Sequence, residues 1–104
     1  MKTAELEVVK KTEQTIRLVD GEFTASEASF IVQALLDEKI NFHKLQRLSM
    51  LEGDTNCNTS FDTDRIDELK NEKIISKEFF SQIRKQNLRL KITGNLKITI
   101  ANPS

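Results

Sequence analysis

The segment from Gly53 to Arg65 places oxygen-bearing side chains at alternate positions, a spacing typical of a calcium-binding loop between two helices. An EF-hand loop takes its ligands from positions 1, 3, 5, 7, 9 and 12, and it needs Gly at position 6 and a bidentate Glu at position 12. With Asp54 as the first position, the candidate metal ligands are Asp54, Asn56, Asn58 and Asp62.

Two residues of the same segment argue against metal binding. Thr59 stands where the EF-hand needs Gly, and a β-branched residue is poorly suited to positive φ. Arg65 stands where the bidentate Glu should be, so a cation replaces two carboxylate oxygens. The sequence therefore favours a polar loop whose side chains bond their own backbone and whose acids begin the next helix, and we predict no metal or other cofactor.

His43 is the only histidine of the chain, so its role has to be judged without a second imidazole. A lone His can act as a general base, as a ligand or as a switch. No Ser or Cys nucleophile lies in a recognisable motif, and the single Cys57 lies in the polar loop. We favour a structural His43 bonded to a backbone carbonyl. The alternative is a ligand-binding pocket that includes His43 and Asn41.

Composition narrows the class of protein and the class of partner. The 104 residues include 16 basic and 16 acidic side chains, so no overall field attracts nucleic acid or an acidic membrane. Up to Asp64 there are 7 basic and 12 acidic residues, a net charge of −5, and from Arg65 onward 9 and 4, a net charge of +5. A single Cys excludes an intrachain disulfide, and neither a signal peptide nor an apolar run of about 20 residues is present. We expect a cytoplasmic protein.

Periodicity predicts strands at the two ends of the chain and helices between them. Thr24 and Glu27 match a capping box, with Phe23 as the hydrophobic staple, and Asn41 suits the N-cap of a second helix. The predicted elements are a strand region at 5–20, helices at about 25–39, 42–51 and 63–87, and a strand region at 88–101.

The apolar residues of the last segment, from Leu88 to Ile100, all carry even numbers, as do Ile16 and Leu18 near the other end. Either a three-residue loop at 93–95 joins two strands, or one long strand bends at Gly94. We predict a single α+β domain over 1–104. Its antiparallel sheet of two to four strands is formed by the two termini, and three central helices pack on one face and cover the even-numbered side chains.

The chain resembles a group of short, uncharacterised bacterial proteins. Their shared pattern is Asp-Gly-x-Phe/Tyr, a Glu-Ala helix and Lys-Ile-Asn-Phe-His, and the resemblance covers about residues 20–100. The matching residues here are Asp20, Gly21, Phe23, Glu27, Ala28 and those of the run 39–43. The resemblance implies no activity, ligand or catalytic residue, and the loop from Asp54 to Arg65 departs from it.

These observations leave three functional hypotheses. The first is a non-enzymatic interaction or dimerisation module, which we expect to form a homodimer and to meet a protein partner whose identity the sequence does not give. The second is a small-molecule-binding protein or an enzyme with a pocket near His43. The third is weak calcium binding by the loop from Asp54 to Arg65.

Overall fold

The computed structural model describes residues 12–101 of the chain. The order of elements is β1 (Glu13–Thr24), α1 (Ala25–Gly53), α2 (Ser60–Lys85) and β2 (Arg89–Thr99). The predicted α+β class is confirmed, with one antiparallel sheet of two strands contributed by the two terminal segments and two helices between them. The chain divides into two compact units: one holds both helices, from Phe23 to Leu90, and the other holds most of β1 and β2.

The prediction of separate helices at 25–39 and 42–51 is wrong, because α1 runs without a break through the expected boundary. Asn41, predicted as an N-cap, is an exposed residue inside the helix. Ile40 and His43 lie one turn apart on the same side and are both buried, so a break between them would remove one from the interior. That burial outweighs the roughly 0.7 kcal/mol by which Asn is a poorer helix former than Ala.

Each terminal segment forms one strand in the described part of the chain. β1 passes through Asp20 and Gly21, where we expected the strand to end, and residues 5–11 of the predicted strand region lie outside the described residues. β2 continues through Gly94 with no loop, and no described Gly has positive φ. The Cγ1 atom of Val19 lies 3.3 Å from the position that a Cβ atom would take at Gly94, so the two strands approach closely there.

The burial of the strands differs from the expected parity. In β1 the half-buried residues are Val19, Gly21 and Phe23, all odd-numbered, whereas in β2 they are even-numbered. The prediction that the even-numbered apolar side chains are covered is wrong for a set that stays exposed: Ile16, Leu18, Leu88, Leu96, Ile98 and Ile100. The predicted packing of helices on one face of the sheet stays a prediction.

The helical unit is held by a small apolar core between α1 and α2. Ile40, Ile66 and Leu69 form its centre, and Leu36 packs against them. Polar side-chain bonds also join the two helices. They run from Gln33 Nε2 to Ser76 Oγ (2.8 Å), from Arg84 Nε to Ser26 Oγ (3.2 Å) and from Lys73 to Asp37. Neither of the described helices has an apolar stretch long enough to cross a bilayer.

Both ends of the helical unit are capped by local motifs. The predicted capping box is confirmed: the backbone N–H of Glu27 donates to Thr24 Oγ1 (3.1 Å), and the backbone N–H of Thr24 donates to Glu27 Oε1 (2.9 Å). α2 ends at Lys85, and Asn87, in the turn that follows, has a φ of 55°. The N–H groups of Asn87 and Leu88 donate to the carbonyls of Arg84 (3.1 Å) and Ile83 (3.4 Å), which is the Schellman pattern.

The left-handed conformation at Asn87 yields a stability prediction. Asn87→Val should lower the free energy of unfolding by roughly 1–2 kcal/mol, because a β-branched side chain clashes at positive φ. Asn87→Gly should keep or raise it, since Gly has no Cβ to clash. Urea denaturation measures both. The control is Gln86→Val, where φ is −91°; an equal loss in the control would mean that backbone strain is not the cause.

Candidate functional site

His43 and Asp62, singled out separately in the sequence, meet in the interior of the helical unit. His43 lies on α1 and Asp62 in the first turn of α2, and the loop between the helices reverses the chain so that they face each other. His43 Nδ1 lies 2.9 Å from Asp62 Oδ1, and the two residues are 5% and 1% exposed. Because a carboxylate oxygen accepts, Nδ1 carries the hydrogen of this bond.

The position of Asp62 explains how a carboxylate is tolerated so far inside. The first turn of a helix has unpaired N–H groups and a partial positive charge, which favours an acidic side chain. Here the carboxylate also has a buried donor in His43. The predicted backbone-carbonyl partner of His43 is therefore wrong, and a side chain 19 residues away takes that place.

The other ring nitrogen of His43 decides what chemistry the pair can do. A carboxylate on Nδ1 fixes the tautomer and leaves Nε2 to act as a base or a metal ligand, as in many enzymes and metal sites. Nε2 is buried and has no hydrogen-bond partner among the described residues. The rings of Phe42 and Phe61 pack edge-on against the imidazole, with centroids 5.2 Å and 6.1 Å away. In this conformation no solute reaches Nε2.

The loop between the helices uses its oxygens on its own backbone. Asp54 Oδ1 accepts from the N–H of Asn56 (3.0 Å), and Asn58 Oδ1 accepts from the N–H of Ser60 (2.9 Å), two Asx turns in succession. The carboxylate of Asp62 points to His43 instead. Within residues 12–101 no group of three or more His, Cys, Asp or Glu side chains is placed to hold a metal ion.

The two residues proposed for ligand binding do not converge. At about 100° per residue, Asn41 and His43 point about 200° apart around α1. Asn41 is exposed, and His43 is buried. Beside the buried pair, Arg47 Nη1 donates to Thr63 Oγ1 at 3.2 Å, so this end of the helical unit is closed by two polar links.

Two clefts of the helical unit lie away from the buried pair. One, of about 320 Å³, lies where α1 begins and α2 ends, and its lining includes Ser26, Arg84 and Arg89. The other is a shallow apolar depression of about 450 Å³ beside Phe23, Phe30 and Ile31. Neither is lined by His43, so the expected pocket near this residue is not one of them.

Comparison with known proteins gives no indication of function. No family model, curated protein or solved structure matches the chain.

The buried pair yields a prediction for a double-mutant cycle with His43→Ala and Asp62→Ala. Each single change leaves one polar group buried without its partner, so the two losses should not add, and the interaction energy should be about 1–3 kcal/mol. Urea denaturation of the four proteins measures it.

The matched control is the cycle with Arg65→Ala and Glu68→Ala, whose side chains are bonded at a similar 2.8 Å but lie at the surface. Its interaction energy should stay below about 0.5 kcal/mol. Additive losses at His43 and Asp62 would mean that the bond does not hold the helices together.

Proposed function

We propose that the protein is a non-enzymatic interaction module that works as a homodimer, with apolar surface of one chain buried against a second copy. The proposal is carried by one observation, which is the imbalance between buried and exposed apolar side chains. Among the described residues, six apolar side chains are buried, and sixteen large ones are exposed. A chain that stays alone rarely leaves so much apolar surface in water.

Five of these side chains lie on the side of α1 turned away from α2. We call it the outer face of α1; its large exposed members are Phe30, Leu35, Phe42, Leu45 and Leu48. Phe30 and Phe42 are 75% and 56% exposed, which amounts to roughly 250 Å² for rings that offer about 200 Å² each. With the leucines the face reaches the size that marks interaction sites on soluble proteins.

The charge of the chain suits a second copy as the occupant. Equal numbers of acidic and basic residues mean that two copies do not repel each other. The excess of acid before Arg65 and of base after it lets two copies related by a two-fold axis place opposite charges together. A nucleic acid or an acidic membrane finds no comparable attraction.

This proposal predicts the mass in solution. Light scattering coupled to size exclusion should give twice the chain mass of 11.9 kDa, and the dimer should persist in 1 M NaCl, because salt screens charges and strengthens apolar burial. Dissociation at high salt would identify a charge-held contact instead. A monomer at every concentration tested would refute the homodimer.

The buried pair supports a second candidate function, a binding pocket or active site at His43. What favours it is that Asp62 orients the ring and leaves Nε2 without a partner among the described residues. It would require Phe42 or Phe61, whose rings are both largely exposed, to swing aside and admit a ligand.

The rate of His43 modification separates the two candidates. Diethyl pyrocarbonate should modify His43 at least tenfold more slowly in the folded protein than in urea, since Nε2 is buried. Mass spectrometry of the intact chain and its peptides follows the reaction, and Phe61→Ala serves as the variant in which the ring is uncovered. A folded protein that reacts as fast as the unfolded one would favour the pocket.

A further inference from the structure

The outer face of α1 carries a seven-residue repeat. Seven positions follow one another at alternating steps of three and four, and we call them the seam: Ile31, Ala34, Glu38, Asn41, Leu45, Leu48 and Glu52. At about 100° per residue they form one stripe, opposite the side on which Ile40 and His43 are buried. Ile31 is half-buried, and the other six are exposed. Alternating steps of three and four are the spacing by which one helix pairs with another, and four of the seven positions here are apolar.

The order of residues along the seam is close to symmetric. Apolar residues flank the centre, Ile31 and Ala34 on one side and Leu45 and Leu48 on the other, and Glu52 follows Leu48. The centre is polar. A stripe of this kind fits its own reverse, and it fits a parallel copy poorly, because parallel pairing places Glu38 against Glu38 of the second copy.

We propose that two copies pair through this seam in antiparallel orientation, with the two-fold axis passing between Lys39 and Ile40. The proposal rests on the homodimer proposed above and specifies its interface. At the centre, Glu38 of each copy lies beside Asn41 of the other, and the amide donates to the carboxylate. A polar pair buried in a helix seam fixes register at some cost in stability.

The same register matches the four apolar residues on the two sides of the centre, and beyond them Glu52 lies next to Glu27 of the second copy. Ile31 meets Leu48 of the second copy, and the small Ala34 meets the large Leu45, so side-chain volume stays even along the contact. On one flank Leu35 meets Phe42 of the second copy, which covers two exposed apolar side chains. Every one of these pairs occurs twice, as two-fold symmetry requires.

The other flank is complementary in charge. Asp37 comes next to Lys44 of the second copy, and the pair recurs on the far side of the axis. Asp37 already bonds Lys73 of its own chain through Oδ1, and its second oxygen is available for the contact. Parallel pairing would bring no such opposite charges together here.

The helical unit prepares α1 for this contact. The helix is held against α2 by Ile40, Ile66 and Leu69, so association does not have to order it. Apolar burial on the two sides of the centre is therefore set against the loss of rigid-body freedom and the desolvation of the polar seam residues.

Cross-linking tests the orientation. In a Cys57→Ser background, one batch carries Ala34→Cys and another Leu45→Cys, and a short bismaleimide is added to each batch and to their equilibrated mixture. The mixture should give at least tenfold more linked dimer than either batch alone. In the proposed register the two copies of position 34 lie about 16 Å apart along the axis, as do those of position 45. Linkage within a single batch, or none in the mixture of a dimeric protein, would overturn the arrangement.

Matched surface variants test the face itself. Leu45→Lys should raise the dimer dissociation constant roughly 30-fold or more, because it buries an unpaired charge in the seam. Ile74→Lys, on α2 and equally exposed (65% against 66%), should change it less than threefold. Sedimentation measures both, and circular dichroism confirms the fold.

The outcomes separate the interface from the homodimer. A wild-type dimer that Leu45→Lys leaves intact would refute the seam and keep the homodimer, and dissociation by Ile98→Lys would then locate the contact on the strands. A wild-type monomer would refute both.

Discussion

The bond between His43 and Asp62 fixes how α1 is rotated on α2, and the surface that α1 shows to solvent depends on that rotation. Ile40, Ile66 and Leu69 supply apolar contact, which is not directional, whereas a buried hydrogen bond at 2.9 Å holds one side of the helix inward. Turning α1 by one residue, about 100°, would carry His43 away and leave the carboxylate unpaired. The bond therefore decides which side chains of α1 meet solvent.

The loop and the buried pair form one arrangement. Two Asx turns reverse the chain after α1, and Asp62 follows in the first turn of α2 at the depth where His43 lies. The regularly spaced oxygens that resemble a calcium loop thus accept hydrogen bonds from backbone N–H groups of the loop and, at Asp62, from the imidazole of His43. Phe42 and Phe61 flank the ring from their two helices, which keeps water from the pair while leaving the outer surface of both rings exposed.

What could be predicted from the sequence was local. The capping box at Thr24 and Glu27 depends on residues three apart and was found; so were the α+β class and the strands at both ends. The prediction of an N-cap at Asn41 is wrong because cap preference is also local, whereas the burial of Ile40 and His43 against α2 depends on the tertiary fold. The hydrogen-bond partner of His43, Asp62, is 19 residues away in the sequence, and no pattern of neighbouring residues predicts such a pair. The strand parity failed for the same reason, since it depends on how β1 pairs with β2.

If the protein is the proposed homodimer, the small interior of the helical unit makes the folded fraction depend on how much of the protein a cell makes. Among the described residues the helical unit buries six apolar side chains, which give it little reserve against unfolding. If the remaining apolar surface is covered only by a second copy, mass action sets the folded fraction, and dilution favours unfolding without any change in temperature or solvent. The expression level would then determine the fraction of chains that is folded. A cell that halves its synthesis of the protein would lose more than half of its folded dimers.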